Sequence, residues 1–117
     1  MTTDPDCIFC RIAAGSLPAA IIYQDEGAIA FRDISPQAPI HVLVIPRKHI
    51  TSLSKVTDAD SAVIGHLMSA VAAVARQEGI AESGYRSIIN AGRDAGQAVD
   101  HLHVHVIGGR GLHWPPG

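Results

Sequence analysis

Apolar positions recur along this chain in two rhythms, and the change between them separates strand from helix. AIIYQ (residues 20–24) and AIAFRD (residues 28–33) are rich in β-branched and aromatic side chains, and Asp25, Glu26 and Gly27 supply turn chemistry between them. That pattern predicts a hairpin. SPQAP (35–39) breaks the run, and IHVLVIP (40–46) then reads as a central strand covered on both faces. From Thr57 onward the period changes: Val63, Ile64, Leu67, Met68, Val71, Val74 and Ala75 form one apolar stripe at helical spacing. Thr57 with Asp60 resembles a capping box at the start of this helix, and Gly79 supplies a stop. YRSIINAG (85–92) and HLHVHVIGG (101–109) predict two further strands, separated by the glycine-containing RDAGQAVD. The sum is an α+β domain with a five-stranded antiparallel sheet and one long helix, a single domain over residues 1–117.

Composition narrows the class of function. Nine basic against 11 acidic residues give no electrostatic case for a nucleic-acid surface. No apolar run approaches the ~20 residues of a membrane span. The start, MTTDPDCIFCRI, lacks a basic stretch followed by an apolar one, so a cytoplasmic location is expected. In a reducing compartment Cys7 and Cys10 read as a metal or thiol pair and not as a disulfide. His66, among apolar helix neighbours, reads as a packing or surface residue.

The chemistry concentrates in DHLHVHVIGG (100–109). Three of the seven histidines sit there at alternate positions, so on a strand His101, His103 and His105 share one face and Leu102, Val104 and Val106 the other. Metal binding, catalysis and an ordinary polar, solvent-facing strand are the open readings. One ion held by all three is excluded by reach: residues two apart on a strand are separated by ~6.7 Å, whereas Zn–N bonds span only ~2.0 to 2.1 Å. The preceding loop, NAGRDAGQAVD, contains Gly92 and Gly96, whose backbone amides could turn inward around an anion. Imidazoles beside such a site could attack phosphorus and donate to its oxygens.

HLHVHVI at 101–107 fits the histidine triad pattern, and CIFCRI, FRDISPQAP, HVLVIPRKHI, the Asn90–Gln97 loop and GGRGLHWPPG follow in the same order. Over nearly its whole length the chain resembles the Hint branch of the histidine triad (HIT) nucleotide hydrolases and transferases. The resemblance implies a fold with a short helix beside the long one. It also implies that His103 is the nucleophile toward the α-phosphorus of a purine nucleoside phosphoramidate or related AMP or GMP conjugate. His105 is then a phosphate contact, and His41 a supporting histidine behind the triad. Asp33 matches the carboxylate that binds the ribose hydroxyls, although an Asp before Ser-Pro also initiates turns. Phe9, Ile12, Phe31 and Ile34 match base-pocket positions, which ordinary core packing would fill equally well. Asn90, Gln97 and the backbone of Ala98 and Val99 match the phosphate loop.

Cys-x-x-Cys is half a zinc site. The resemblance completes it with His49 and His101, a closed Cys2His2 set that suits a structural ion, and implies no organic cofactor. The chain departs from the pattern at Ala98, where relatives carry a Ser or Thr that helps protonate the leaving group; slow turnover is expected. Trp114, the sole tryptophan, lies in the HWPPG tail that in this branch reaches a partner subunit's active site, so a homodimer is expected. Dinucleotide polyphosphate hydrolysis, or nucleotide binding with little activity, are the competing functions.

Overall fold

The computed structural model describes residues 3–117. Five strands form one antiparallel sheet: β1 (Ile21–Gln24), β2 (Ala28–Arg32), β3 (Ile40–Pro46), β4 (Tyr85–Ile88) and β5 (Val104–Gly108), in the order β1-β2-β3-β5-β4. Two helices accompany it, α1 (Ile8–Ala13) and α2 (Ser61–Gln77). The expected α+β architecture, with a long and a short helix, is the observed one.

Strand β3 lies at the middle of the sheet, and His41 through Pro46 are all buried. Its alternation divides the core in two. Val42 and Val44 join Ala28, Ala30, Val104 and Val106 under Leu67, Val71 and Val74 of α2. Leu43 and Ile45 join Ile29 and Phe31 on the opposite side, where α1 contributes Phe9, Cys10 and Ile12. Small side chains on the first face let the long helix approach closely.

Details depart from the sequence expectation at several edges. Met68, counted in the stripe of α2, is exposed. The capping carboxylate is present: Asp60 accepts from the Thr57 amide at 3.0 Å and holds Lys48 at 2.6 Å. Because that first turn is a 3-10 turn at Asp58–Asp60, α2 itself begins only at Ser61. His66 is neither a core nor a free surface residue. Its Nε2 lies 2.8 Å from Asp25 Oδ1, so it ties α2 to the β1–β2 turn, and Asp25 also accepts from the amides of Gly27 and Ala28. A Cβ on Gly27 would stand 2.7 Å from the His66 ring, which makes glycine necessary for that approach.

Candidate active site

The ladder of β5 starts at Val104, three residues later than the histidine pattern predicts. The parity nevertheless holds, because Leu102, Val104 and Val106 all enter the core beneath α2. The solvent-facing reading of the histidines fails: His101 is fully buried and His103 is 5% exposed. They also divide into two environments.

His101 turns toward α1. Its Nδ1 lies 3.3 Å from Cys7 Sγ, 3.5 Å from Cys10 Sγ and 3.2 Å from His49 Nδ1, and His49 Nδ1 lies 3.3 Å from Cys10 Sγ. Its other nitrogen, Nε2, donates to the Pro46 carbonyl at 2.8 Å, which leaves Nδ1 bare and aimed at the thiols. Burial pushes this imidazole down to about 4, so it is neutral at pH 7. Burial likewise pushes the Cys10 thiol up. A tetrahedral zinc with ~2.3 Å Zn–S and ~2.0 Å Zn–N bonds separates its donors by roughly 3.3 to 3.8 Å. Four of the donor pairs stand 3.2 to 3.5 Å apart, and all four donor atoms lie within 4.8 Å of one another. Their chemistry fits as well: two thiols that become thiolates on metal binding, and a histidine whose far nitrogen is fixed by a carbonyl.

His103 and His105 turn the other way, into a cleft of about 650 Å³. Phe9, Ile12, Phe31, Ile34 and Leu43 give it an apolar wall, and Asp33, Ala98 and Val99 also line it. Ile34 is fully exposed, an isoleucine with no protein neighbour covering it. A volume of this size suits a small ligand, for which pockets of roughly 300 to 1,000 Å³ are usual.

Hydrogen bonds set the ring tautomers. His103 Nδ1–H donates to the His101 carbonyl at 2.7 Å, so in the neutral ring Nε2 carries a free lone pair. The Gln37 amide donates to His41 Nδ1 at 3.0 Å, which leaves the His41 proton on Nε2. That Nε2–H faces His105 Nδ1 at 2.9 Å and Asp33 Oδ2 at 3.4 Å. His105 Nδ1 therefore accepts, and its own proton sits on Nε2. Burial first, then the neighbouring His103 and His41 rings, hold His105 below the ordinary histidine range, with Asp33 opposing. The contact follows from register: His105 pairs with Leu43, and His41, two residues before Leu43, is its diagonal neighbour on the same face.

Asp33 fills its turn reading and also lines the cleft. Oδ1 accepts the Ser35 amide at 2.8 Å in a turn, and Oδ2 faces His41.

Two residues expected at the phosphate loop do not line the cleft. Gln97 ties its loop together, its amide nitrogen donating to Thr51 and Val99 carbonyls while its oxygen accepts from the Gly92 amide. Asn90 is half-buried and does not line the cleft. Trp114 is 81% exposed on the tail, away from this chain's cleft. The glycine loop is also less open to an anion than its composition implies. The amides of Gly96 and Gln97 donate to carbonyls of Arg93 and Gly92, so they are engaged within the loop. Sequence reasoning missed Gln37, because a backbone donor leaves no side-chain signature, and it missed the Asp25–His66 pair, which joins residues 41 positions apart.

The HIT domain profile matches residues 14–112. An uncharacterized HIT-like protein of Synechococcus elongatus is 51% identical over 112 residues, covering 96% of this chain and 97% of that one. Among solved structures, a HIT family hydrolase from Legionella pneumophila superposes with a TM-score of 0.93 at 45% identity, covering 96% of this chain and all of the other. A Zn-bound histidine triad family protein from Mycobacterium smegmatis superposes at 0.72 with 36% identity, covering 87% of this chain and 73% of that one. With the triad geometry, the sheet order and these relatives in agreement, the chain belongs to the HIT domain family.

Proposed function

We propose that this protein is a nucleotidyl hydrolase or transferase of the Hint type. It acts on the α-phosphorus of purine nucleoside phosphoramidates or related AMP or GMP conjugates. The observation that carries the reading is the bare Nε2 of His103, held by the His101 carbonyl at the foot of an apolar cleft. A neutral imidazole with a fixed, uncommitted lone pair is what attack on phosphorus requires.

The chemistry runs in two displacements. His103 Nε2 attacks phosphorus, the bond from phosphorus to the leaving amine breaks, and the amine departs with the bonding pair and a proton from solvent. Water then attacks the same phosphorus and gives its proton to solvent, the phosphorus–Nε2 bond breaks with its electron pair returning to Nε2, and the nucleoside monophosphate leaves. In both steps the His105 Nε2–H donates to a phosphoryl oxygen as charge builds there, its orientation set by His41 and Gln37. Phe9, Ile12, Phe31 and Ile34 hold the base, and Asp33 accepts from the ribose hydroxyls. Ala98, which lines the same cleft as His103, offers no hydroxyl to the leaving group, so amine leaving groups depart slowly.

Cys7, Cys10, His49 and His101 would hold a structural zinc ion, which crosslinks their segments and takes no part in the displacements. The two free thiols suit a reducing compartment such as the cytoplasm. The exposed Trp114 supports a homodimer in which the tail meets the partner's cleft. The whole chain reads as one domain.

The test is AMP release from an adenosine phosphoramidate by wild type and His103→Ala, with intact-mass detection during turnover. Release through a 1:1 nucleotidyl adduct in wild type alone is expected. Binding of AMP without either product would favour the alternative that Ala98 raises, a weakly active nucleotide-binding protein. Turnover of dinucleotide polyphosphates in preference to the amidate would shift the substrate class and keep the mechanism.

A further inference from the structure

The nucleophile stands outside the sheet. Because β5 begins at Val104, residues 101–103 have no strand ladder to hold them, and what fixes them is local. The Leu102 amide donates to Ile50 O at 2.6 Å, His101 Nε2–H donates to Pro46 O at 2.8 Å, and the His101 ring meets Cys7, Cys10 and His49. His103 hangs from this arrangement by its Nδ1–H bond to the His101 carbonyl. A second link runs through α1. Phe9, between Cys7 and Cys10 in sequence, sets its ring edge-on to His101 at 5.9 Å and to His103 at 5.2 Å between centroids. Both links join the thiol and histidine cluster to the nucleophile, one through the backbone and one through packing.

We infer that the Cys7, Cys10, His49 and His101 cluster is a positioning device for His103, so that a metal held there fixes the nucleophile's ring and not only the fold. The inference rests on the reading of His103 as nucleophile. Its physical basis is that His101 belongs to both systems, its ring to the metal site and its carbonyl to the nucleophile. Loss of the metal leaves the ring only its Pro46 hydrogen bond, and the peptide whose carbonyl orients His103 only the Leu102 to Ile50 bond, so both lose a restraint. Misplacement of a reacting group by ~1 Å can cost ~10² in rate.

The experiment compares 15N-histidine-labelled protein loaded with zinc, the same protein after chelation, and His49→Gln, which removes a ligand that lies outside the cleft. Long-range 15N–1H spectra report the His103 tautomer, far-UV circular dichroism reports the fold, and steady-state kinetics use an adenosine phosphoramidate. The expected result is a single Nδ1–H tautomer for His103 when loaded. Chelation and His49→Gln should both broaden or erase that signal with the far-UV spectrum retained, and kcat should fall by ~10² with KM little changed. Zinc added back should restore chelated wild type and leave His49→Gln impaired. An unchanged His103 signal and kcat in the emptied site would overturn the inference, as would failure to bind zinc. Loss of the far-UV spectrum on chelation would also overturn it, because the metal would then hold the whole fold. If loaded wild type forms no adduct, the nucleophile reading falls, and the spectra alone still decide whether the cluster positions His103.

Discussion

Among the described residues, two clusters contain the residue types that hold metals, and they are built to opposite ends. Cys7, Cys10, His49 and His101 bring together two thiols and an imidazole nitrogen stripped of its proton by the Pro46 carbonyl. Asp33, His41 and His105 lie equally close to one another. There, however, the Gln37 amide occupies His41 Nδ1 and leaves a proton on Nε2, pointing at the very nitrogen and carboxylate a metal would need. The first cluster converges lone pairs, and the second is already filled by a proton. Residue identity and spacing do not distinguish a metal site from a proton relay; the backbone groups behind the side chains do.

The comparison can be broken at its strongest point first. His103→Ala should abolish the nucleotidyl adduct and AMP release while AMP still binds, which intact-mass measurement and calorimetry would check; an adduct on the variant would move the nucleophile elsewhere. His41→Ala removes the donor that sets the His105 tautomer, and should lower kcat by ~10² to 10⁴, the range for a positioned proton-handling group. The same substitution should leave zinc content unchanged, and a fall in bound zinc would mean that the clusters are not separate. In the opposite direction, Ala98→Ser should raise kcat on a phosphoramidate by up to ~10², with less gain on substrates whose leaving group is a phosphate. Chelation of the cysteine cluster at about a hundredfold excess of zinc over its dissociation constant removes about 2.7 kcal/mol of linkage, and should lower the melting temperature by about 10 °C.

The smallest effect belongs to the pair that joins α2 to the hairpin. Burial acts to raise the Asp25 carboxyl, but the His66 ring, the Gly27 and Ala28 amides and the Tyr23 hydroxyl outweigh it and hold the group well below the usual carboxylate range. Asp25 in turn raises His66 through its hydrogen bond and charge. The Asp25 contribution is present above its unfolded value of ~3.8 and is lost as pH falls through its depressed value. The His66 contribution is full below ~6.5 and is lost as pH rises through its elevated value. Melting temperature measured from pH 5 to 9 should therefore decline above ~6.5, and His66→Asn should flatten that decline. An identical slope in the variant would assign the decline to other groups.

Much of this was legible in the sequence because the rules involved are short-range. The period of two in IHVLVIP, the turn chemistry of Asp25 to Gly27, and the stripe of α2 are each fixed by neighbours within a few positions. The alternation of residues 101–106 correctly divided core from site even where the strand itself was absent. The strand's late start was not legible. It reflects His101 turning toward cysteines more than 90 positions away, which periodicity does not record. The roles of His49 and His41 reached the sequence reading only through family resemblance, and the His101 and His41 tautomers that separate the two clusters depend on Pro46 and Gln37 backbone groups that any residue type carries. Met68 illustrates the converse limit, since helical spacing gives the direction of a stripe and not its width.

The distinction between the clusters is tested most directly by growing crystals with zinc and collecting data at the zinc absorption edge. The account predicts one anomalous peak per chain, tetrahedral between Cys7, Cys10, His49 and His101, and none between Asp33, His41 and His105. A peak in the cleft cluster, or none among the cysteines, would contradict it.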